Sequence, residues 1–242
     1  MSQSDSEFPT TRWTLIQLLQ GTDEVQSLQA LNEICERYWY PIYAFLRRQG
    51  HEKSEAEDLT QQLFQSLLVE GGLQQVRQEK GRLRSFLIGV AKRQISRQRR
   101  HENAEKRGGG NVLLSLDEVL ADRRYEKEPA DLRDPERLFE RAWAVQMLET
   151  IRDRLRQSFE RNGRLADYEA IEAYLGWDDS PAPYAELAIQ LRSNENAARV
   201  LVHRLRGKFR ELLRIEVAKT VVAEADVDAE LEWLRQVLRS SP

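Results

Sequence analysis

Apolar side chains in this chain recur at steps of three and four residues and almost nowhere at steps of two. Leu28, Leu31, Cys35, Tyr38, Ile42 and Phe45 form one such stripe. Leu59, Leu63, Phe64, Leu67 and Leu68 form a second, and Phe86, Leu87, Val90, Ala91 and Ile95 a third. This is the period of a helix with one buried face, and no alternating run of useful length offers a strand. The expected fold class is all-α. Pro41 interrupts the first stripe and should kink that helix or split it in two. A long helix is expected from Pro135 to about Phe159, with Pro135 suited to its first turn. Val227, Leu231, Leu234 and Leu238, with Trp233 beside them, predict one more helix near the end.

Breakers and length set the organisation. The 242 residues exceed one small domain. Gly71-Gly72 and Gly81 bracket a loop from Gln74 to Lys80, and Gly108-Gly109-Gly110 ends the segment that follows. The expected arrangement is two helical domains joined by a charged linker: a first domain over 8–107, a linker over 108–135, a second domain over 136–219 and a C-terminal helical extension over 220–242.

The net charge of -3 conceals a strong unevenness. Between Arg77 and Arg107 eleven lysines and arginines face three glutamates, and between Arg199 and Arg214 six face one. Asp117 to Glu140 carries nine acids against five bases. Two basic blocks in an acidic chain predict two contacts with a polyanion. Other classes are disfavoured. No apolar stretch approaches a membrane span, and the N-terminus lacks a signal pattern. Cys35 stands alone, and His51, His101 and His203 are scattered. No nucleophile, phosphate loop, metal spacing or cofactor motif appears, so a cytoplasmic chain that is not an enzyme and carries no metal is expected.

Near the C-terminus, Tyr184 to Leu191 reads as a short amphipathic helix, Arg192-Ser193 as a turn, and Asn194 as the N-cap of a basic helix running to about Ile215. Glu195 in its first turn suits the helix dipole. This is the pattern of a helix-turn-helix, whose second helix enters the DNA major groove. Val200, Leu201 and Val202 are consecutive, so one of them must face groove, solvent or a partner.

Four segments in order then resemble a known family. Tyr38-Trp-Tyr-Pro-Ile-Tyr-Ala-Phe-Leu46 resembles the first helix of a polymerase-binding domain, and Glu55-Ala-Glu-Asp-Leu-Thr-Gln-Gln-Leu-Phe64 an acidic polymerase-docking motif. Arg84 to Arg93 resembles a promoter-melting helix, and Asn194 to Leu213 a -35 reading helix. Together they resemble the extracytoplasmic-function (ECF) sigma factors of the bacterial sigma-70 family. The resemblance implies binding to core RNA polymerase and promoter DNA, with the -10 element opened and the -35 element contacted. It implies polymerase-binding roles for Glu57, Asp58, Gln61 and Gln62. It implies DNA-binding roles for Lys80, Arg82, Lys92, Arg93, Arg97 and Arg100 in the first domain. Asn194, Glu195, Asn196, Arg199, His203 and Arg204 would serve the second, with Arg204, Arg206 and Lys208 tracking phosphates. The loop 74–80 would cup an extruded base. Arg192 replaces the family's turn glycine, and Ala197 and Leu201 replace a threonine and an arginine of the reading helix. An anti-sigma protein is the usual partner of this group. A Ser/Thr kinase is a second candidate, since a phosphate on an exposed Thr60 would add charge to the acidic face. The residues taken alone also fit a helix-turn-helix regulator that acts without polymerase, or a helical scaffold.

Overall fold

The computed structural model describes residues 15, 18–19, 21, 23–69, 82–102, 124–125, 134–176, 181–221 and 223–239. Among them the regular elements are helical: α1 Glu24–Arg48, α2 Lys53–Val69, α3 Leu83–Glu102, α4 Pro135–Arg161, α5 Leu165–Ile171, α6 Tyr184–Gln190, α7 Glu195–Ala218 and α8 Val227–Arg239. Short 3-10 turns lie at Glu172–Leu175 and Glu224–Asp226. The chain forms two compact units, one of Met1–Gln146 with Val217–Pro242 and one of Met147–Glu216. The unit boundaries fall inside α4 and α7.

In the first unit α1 is central. Asp23 caps it, its carboxylate accepting from the backbone N–H of Val25 at 3.0 Å and Gln26 at 3.1 Å. Arg47 and Arg48 occupy the last turn, where positive charge suits the dipole. Every side chain from Tyr38 to Leu46 is buried, so this half of α1 has neighbours on all sides. Pro41 does not split the helix, which runs unbroken from Glu24 to Arg48. Without an N–H, Pro41 forgoes one bond toward residue 37, and burial on both sides of it holds the helix together. Leu28, expected on the buried stripe, is exposed.

Helices α2 and α3 lie against α1 and against each other. Ala56, Leu59, Leu63, Phe64 and Leu67 form the inner side of α2. Leu83, Leu87, Ile88, Ala91 and Ile95 form that of α3, with Phe86 and Val90 only half-buried. Cys35 sits in this core, where burial pushes its thiol up to about 12. From the expected linker, Tyr125 lies under the Arg47 guanidinium and the Arg124 guanidinium lies 4.0 Å over the Tyr40 ring.

The first half of α4 begins at the Asp134 cap, which accepts from Glu136 N–H at 3.0 Å. It contributes Leu138, Phe139, Ala142 and Trp143 to the first unit's core. The C-terminal segment returns to the same unit, with Val227 and Leu234 of α8 buried and Trp233 5.8 Å from Trp143. The third buried residue on that face of α8 is Glu230.

The second unit is built on the later half of α4. Gly163, at φ +67, terminates that helix in the left-handed conformation that favours glycine. Tyr168 of α5 packs 5.5 Å from Phe159 and donates its hydroxyl to the Arg152 carbonyl. Ala198, Val202, Leu205 and Phe209 form the buried stripe of α7. Glu216, wholly buried, is ion-paired with Arg154.

Candidate functional site

The first candidate surface is the outer side of α2. The core residues Leu59, Leu63 and Phe64 fix its rotation, so that Asp58 and Gln62, one turn apart, are exposed. Glu57 is half-buried. Gln61, expected on the same outer side, is only 4% exposed. It stands three residues before Phe64 and shares that residue's flank. The surface continues onto α3 through amide contacts: Gln94 Nε2 donates to the Leu59 carbonyl at 3.0 Å and to Gln62 Oε1 at 3.3 Å. Gln98 Nε2 donates to Glu55 Oε1 at 2.8 Å, while that carboxylate also meets His51 Nδ1.

Thr60 does not meet the condition set by the phosphorylation reading. Its side chain is fully buried and its hydroxyl donates to the Ala56 carbonyl at 2.7 Å, one turn back in the same helix. A kinase has no exposed hydroxyl to reach there, and the acidic face is not tuned at this position.

The second surface lies on α3, and its basic residues divide into two groups. Arg93 and Arg97 are exposed one turn apart and form a cationic stripe. Lys92 is exposed and ion-paired with Glu136. The residues at the start of the helix are engaged inside the unit. Arg84 is 4% exposed and makes a two-pronged contact with the buried carboxylate of Glu230, while Arg82 Nη2 reaches the same carboxylate at 2.8 Å. The Arg84 guanidinium is held between two indoles, 3.7 Å from the Trp233 centroid and 4.9 Å from that of Trp143. Glu140 faces this cluster. Partial burial raises its carboxyl above the usual range, against the opposing pull of Arg84. Arg84 is therefore no free phosphate contact, and Glu230 is a site residue that sequence reading passed over. Its signal is positional: it follows Val227 by three residues and precedes Leu234 by four, on the stripe of buried positions. Lys80 and the loop 74–80 lie outside the described residues, as does the Arg100 side chain.

The third surface is the start of α7. The C-terminus of α6 closes with Arg192 N–H on the Ile189 carbonyl and Ser193 N–H on the Ala188 carbonyl. Arg192 stands at φ +49 between them, a Schellman arrangement with arginine where glycine is favoured. We predict that Arg192→Gly stabilises this unit by about 0.5–1 kcal/mol, the left-handed penalty being partly offset by glycine's freedom in the unfolded chain. A lower urea midpoint for the variant would contradict this.

Asn194 caps α7 by accepting from Ala197 N–H at 2.9 Å, which commits its side-chain oxygen to the helix. Glu195 is ion-paired with Arg199, whose guanidinium lies 4.4 Å over the Tyr184 ring. Asn196, His203 and Arg204 are exposed. Arg206 Nε donates to the Tyr174 carbonyl at 3.0 Å, and Lys208 is paired with Glu211, so both have protein partners. Of the three consecutive apolar residues, Val202 is buried, Leu201 half-buried and Val200 exposed. Val200, Leu201 and Arg204 line one side of a groove of about 280 Å³. Among the described residues no cluster of His, Cys, Asp and Glu could hold a metal ion, and no helix is long and apolar enough to cross a membrane.

Compared with known families, residues 35–105 match the model of sigma-70 region 2. That span covers α2, α3 and most of α1. Neither a curated protein nor a solved structure matches the chain.

Proposed function

We propose that this chain, whose residues 35–105 match sigma-70 region 2, is an RNA polymerase sigma factor of the ECF subgroup. In this reading it binds core polymerase through α2, holds the opened -10 strand on α3, and contacts the -35 element with α7 through a helix-turn-helix made by α6 and α7. It does no covalent chemistry and works in the cytoplasm, with an anti-sigma protein as a candidate partner. The observation that carries the reading is the coincidence of the region 2 match with one unit bearing two outer faces: Asp58 and Gln62 on α2, and Arg93 and Arg97 on α3.

The physics of each face fits its role. Asp58 and Gln62 are polar groups held outward by a core that needs neither, so they suit docking on a basic partner. Arg93 and Arg97 suit backbone phosphates one helical turn apart, a contact that carries no sequence information. At α7, Asn196, His203 and Arg204 are exposed and take no helix-capping or ion-pair role among the described residues, and they suit base edges and phosphates. Val200 can meet a thymine methyl but cannot supply a bidentate base contact, so -35 readout on this face is expected to be relaxed.

Asp58→Lys reverses one charge at an exposed position of the α2 face. It is expected to leave the fold intact and weaken core polymerase binding about tenfold. Co-purification with core polymerase over a salt series measures this, and undiminished retention would remove α2 from the interface. Arg93→Ala and Arg97→Ala are each expected to lower the salt slope of single-stranded DNA binding by about 0.7, the loss of one phosphate contact. An unchanged slope in the double variant would place the strand elsewhere.

A further inference from the structure

The start of α3 brings two arginines together, Arg82 and Arg84, and the chain's own C-terminal segment already covers them. Residues 224–232 carry five acids, Glu224, Asp226, Asp228, Glu230 and Glu232, with no base among them. Of these, Glu230 is turned fully inward and is ion-paired with both Arg82 and Arg84, between Val227 and Leu234 on an otherwise apolar face. Trp233 lies across the two guanidinium groups, 3.7 Å from Arg84 and 5.9 Å from Arg82. A carboxylate engaged by two arginines presents the same two-oxygen anion that a backbone phosphate would.

We propose that α8 is an internal competitor for nucleic acid: Glu230 occupies Arg82 and Arg84 in place of a DNA phosphate, so that docking of α8 and binding of a strand at the start of α3 exclude one another. The inference rests on the DNA-binding reading of α3.

The energetics of buried pairs suit such a device. Two charges taken out of water recover little net energy from meeting each other, and undocking returns both to water together. The pair is therefore costly to break from one side by mutation, yet itself adds little resistance to displacement of the whole helix. Arg82, with its side chain 40% exposed, offers the point of entry. A phosphate that engages Arg82 removes one of the two partners of Glu230 and weakens the seating of α8. The coupling is reciprocal, so whatever binds α8 away from the unit would also raise affinity for DNA.

The test uses the full chain and a labelled single-stranded DNA oligonucleotide at low salt. In the unaltered protein, saturating oligonucleotide is expected to accelerate hydrogen exchange across residues 227–239. Equal or greater protection of that helix in the complex would overturn the proposal. Glu230→Gln is expected to bind the oligonucleotide about five- to tenfold more tightly than the parent. Since that variant strands a buried arginine, a second variant is used beside it. Leu234→Ala removes a buried apolar contact of α8, strands no charge, and leaves Arg82, Arg84 and Glu230 in place, so it weakens the seating of α8 alone. A gain of about two- to fivefold is expected there. No gain in either folded variant overturns the proposal, including the case where no form binds the oligonucleotide. The sigma-factor reading is then judged separately by promoter-dependent transcription with core polymerase, which does not depend on α8 being a competitor.

Discussion

Replacing Glu230 with alanine is expected to destabilise the first unit by about 3–5 kcal/mol, the cost of leaving a buried charge without its counter-ion. The residue left behind is Arg84, which is 4% exposed and enclosed by Trp143 and Trp233. Water cannot hydrate it there without opening the seam between α3 and α8. The same geometry supplies the readout, since both indoles lie against the guanidinium and their fluorescence reports the seam directly. Equilibrium urea unfolding followed by tryptophan emission should show the loss. The paired replacement Arg84→Met with Glu230→Leu should restore most of it, because no charge remains to be stranded. A loss below about 1 kcal/mol in the single variant would mean that the pair is solvated in solution.

Phe64→Ala is the second large effect, about 3–5 kcal/mol, from lost burial and the cavity left behind. Phe64 is fully buried where α2 meets its two neighbours. With Leu59 and Leu63 it fixes the rotation of α2, and with it the outward position of Asp58 and Gln62. The variant is expected to lose thermal stability in proportion to the cavity while retaining core polymerase binding at temperatures where it stays folded. Asp58→Lys should do the opposite, keeping the melting temperature and losing the partner. Parallel melting and binding curves separate the two, and an equal loss of stability in both variants would contradict the division of α2 into a packing side and a docking side.

The helical periodicity made the architecture legible. The three stripes at 28–45, 59–68 and 86–95 correspond to α1, α2 and α3, and the final stripe to α8. Of the two outcomes expected at Pro41, a kink or a split, the split does not occur, because a local rule about a missing N–H yields to burial on every side of that turn. Leu28 misled, since a stripe shows which residues could share a face and not where the neighbouring helix stops. The candidate site was readable where it depended on one helix: Asp58, Gln62, Arg93 and Arg97 lie outward as their spacing implied. It was not readable where it depended on two distant segments. Arg84 counts as one more positive charge in the sequence, and Glu230 as one more acid in a polar tail. Only their meeting across 146 positions converts both into a buried pair. Thr60 and Gln61 teach the same lesson in one turn of helix, because their burial is decided by neighbours that the helix's own pattern does not name.

A chain that directs core RNA polymerase to promoters creates transcription start sites that core polymerase alone does not use. Reconstituting bacterial core polymerase with and without the chain on genomic DNA from the organism that encodes it, and mapping the 5′ ends of the transcripts, measures this directly. Transcripts are expected to start at a discrete set of sites only when the chain is present. Asp58→Lys is expected to diminish them, and single substitutions at most -35 positions to be tolerated. Duplex DNA binding by the chain alone, with no polymerase association and no new start sites, would contradict the account and identify a regulator that works without polymerase.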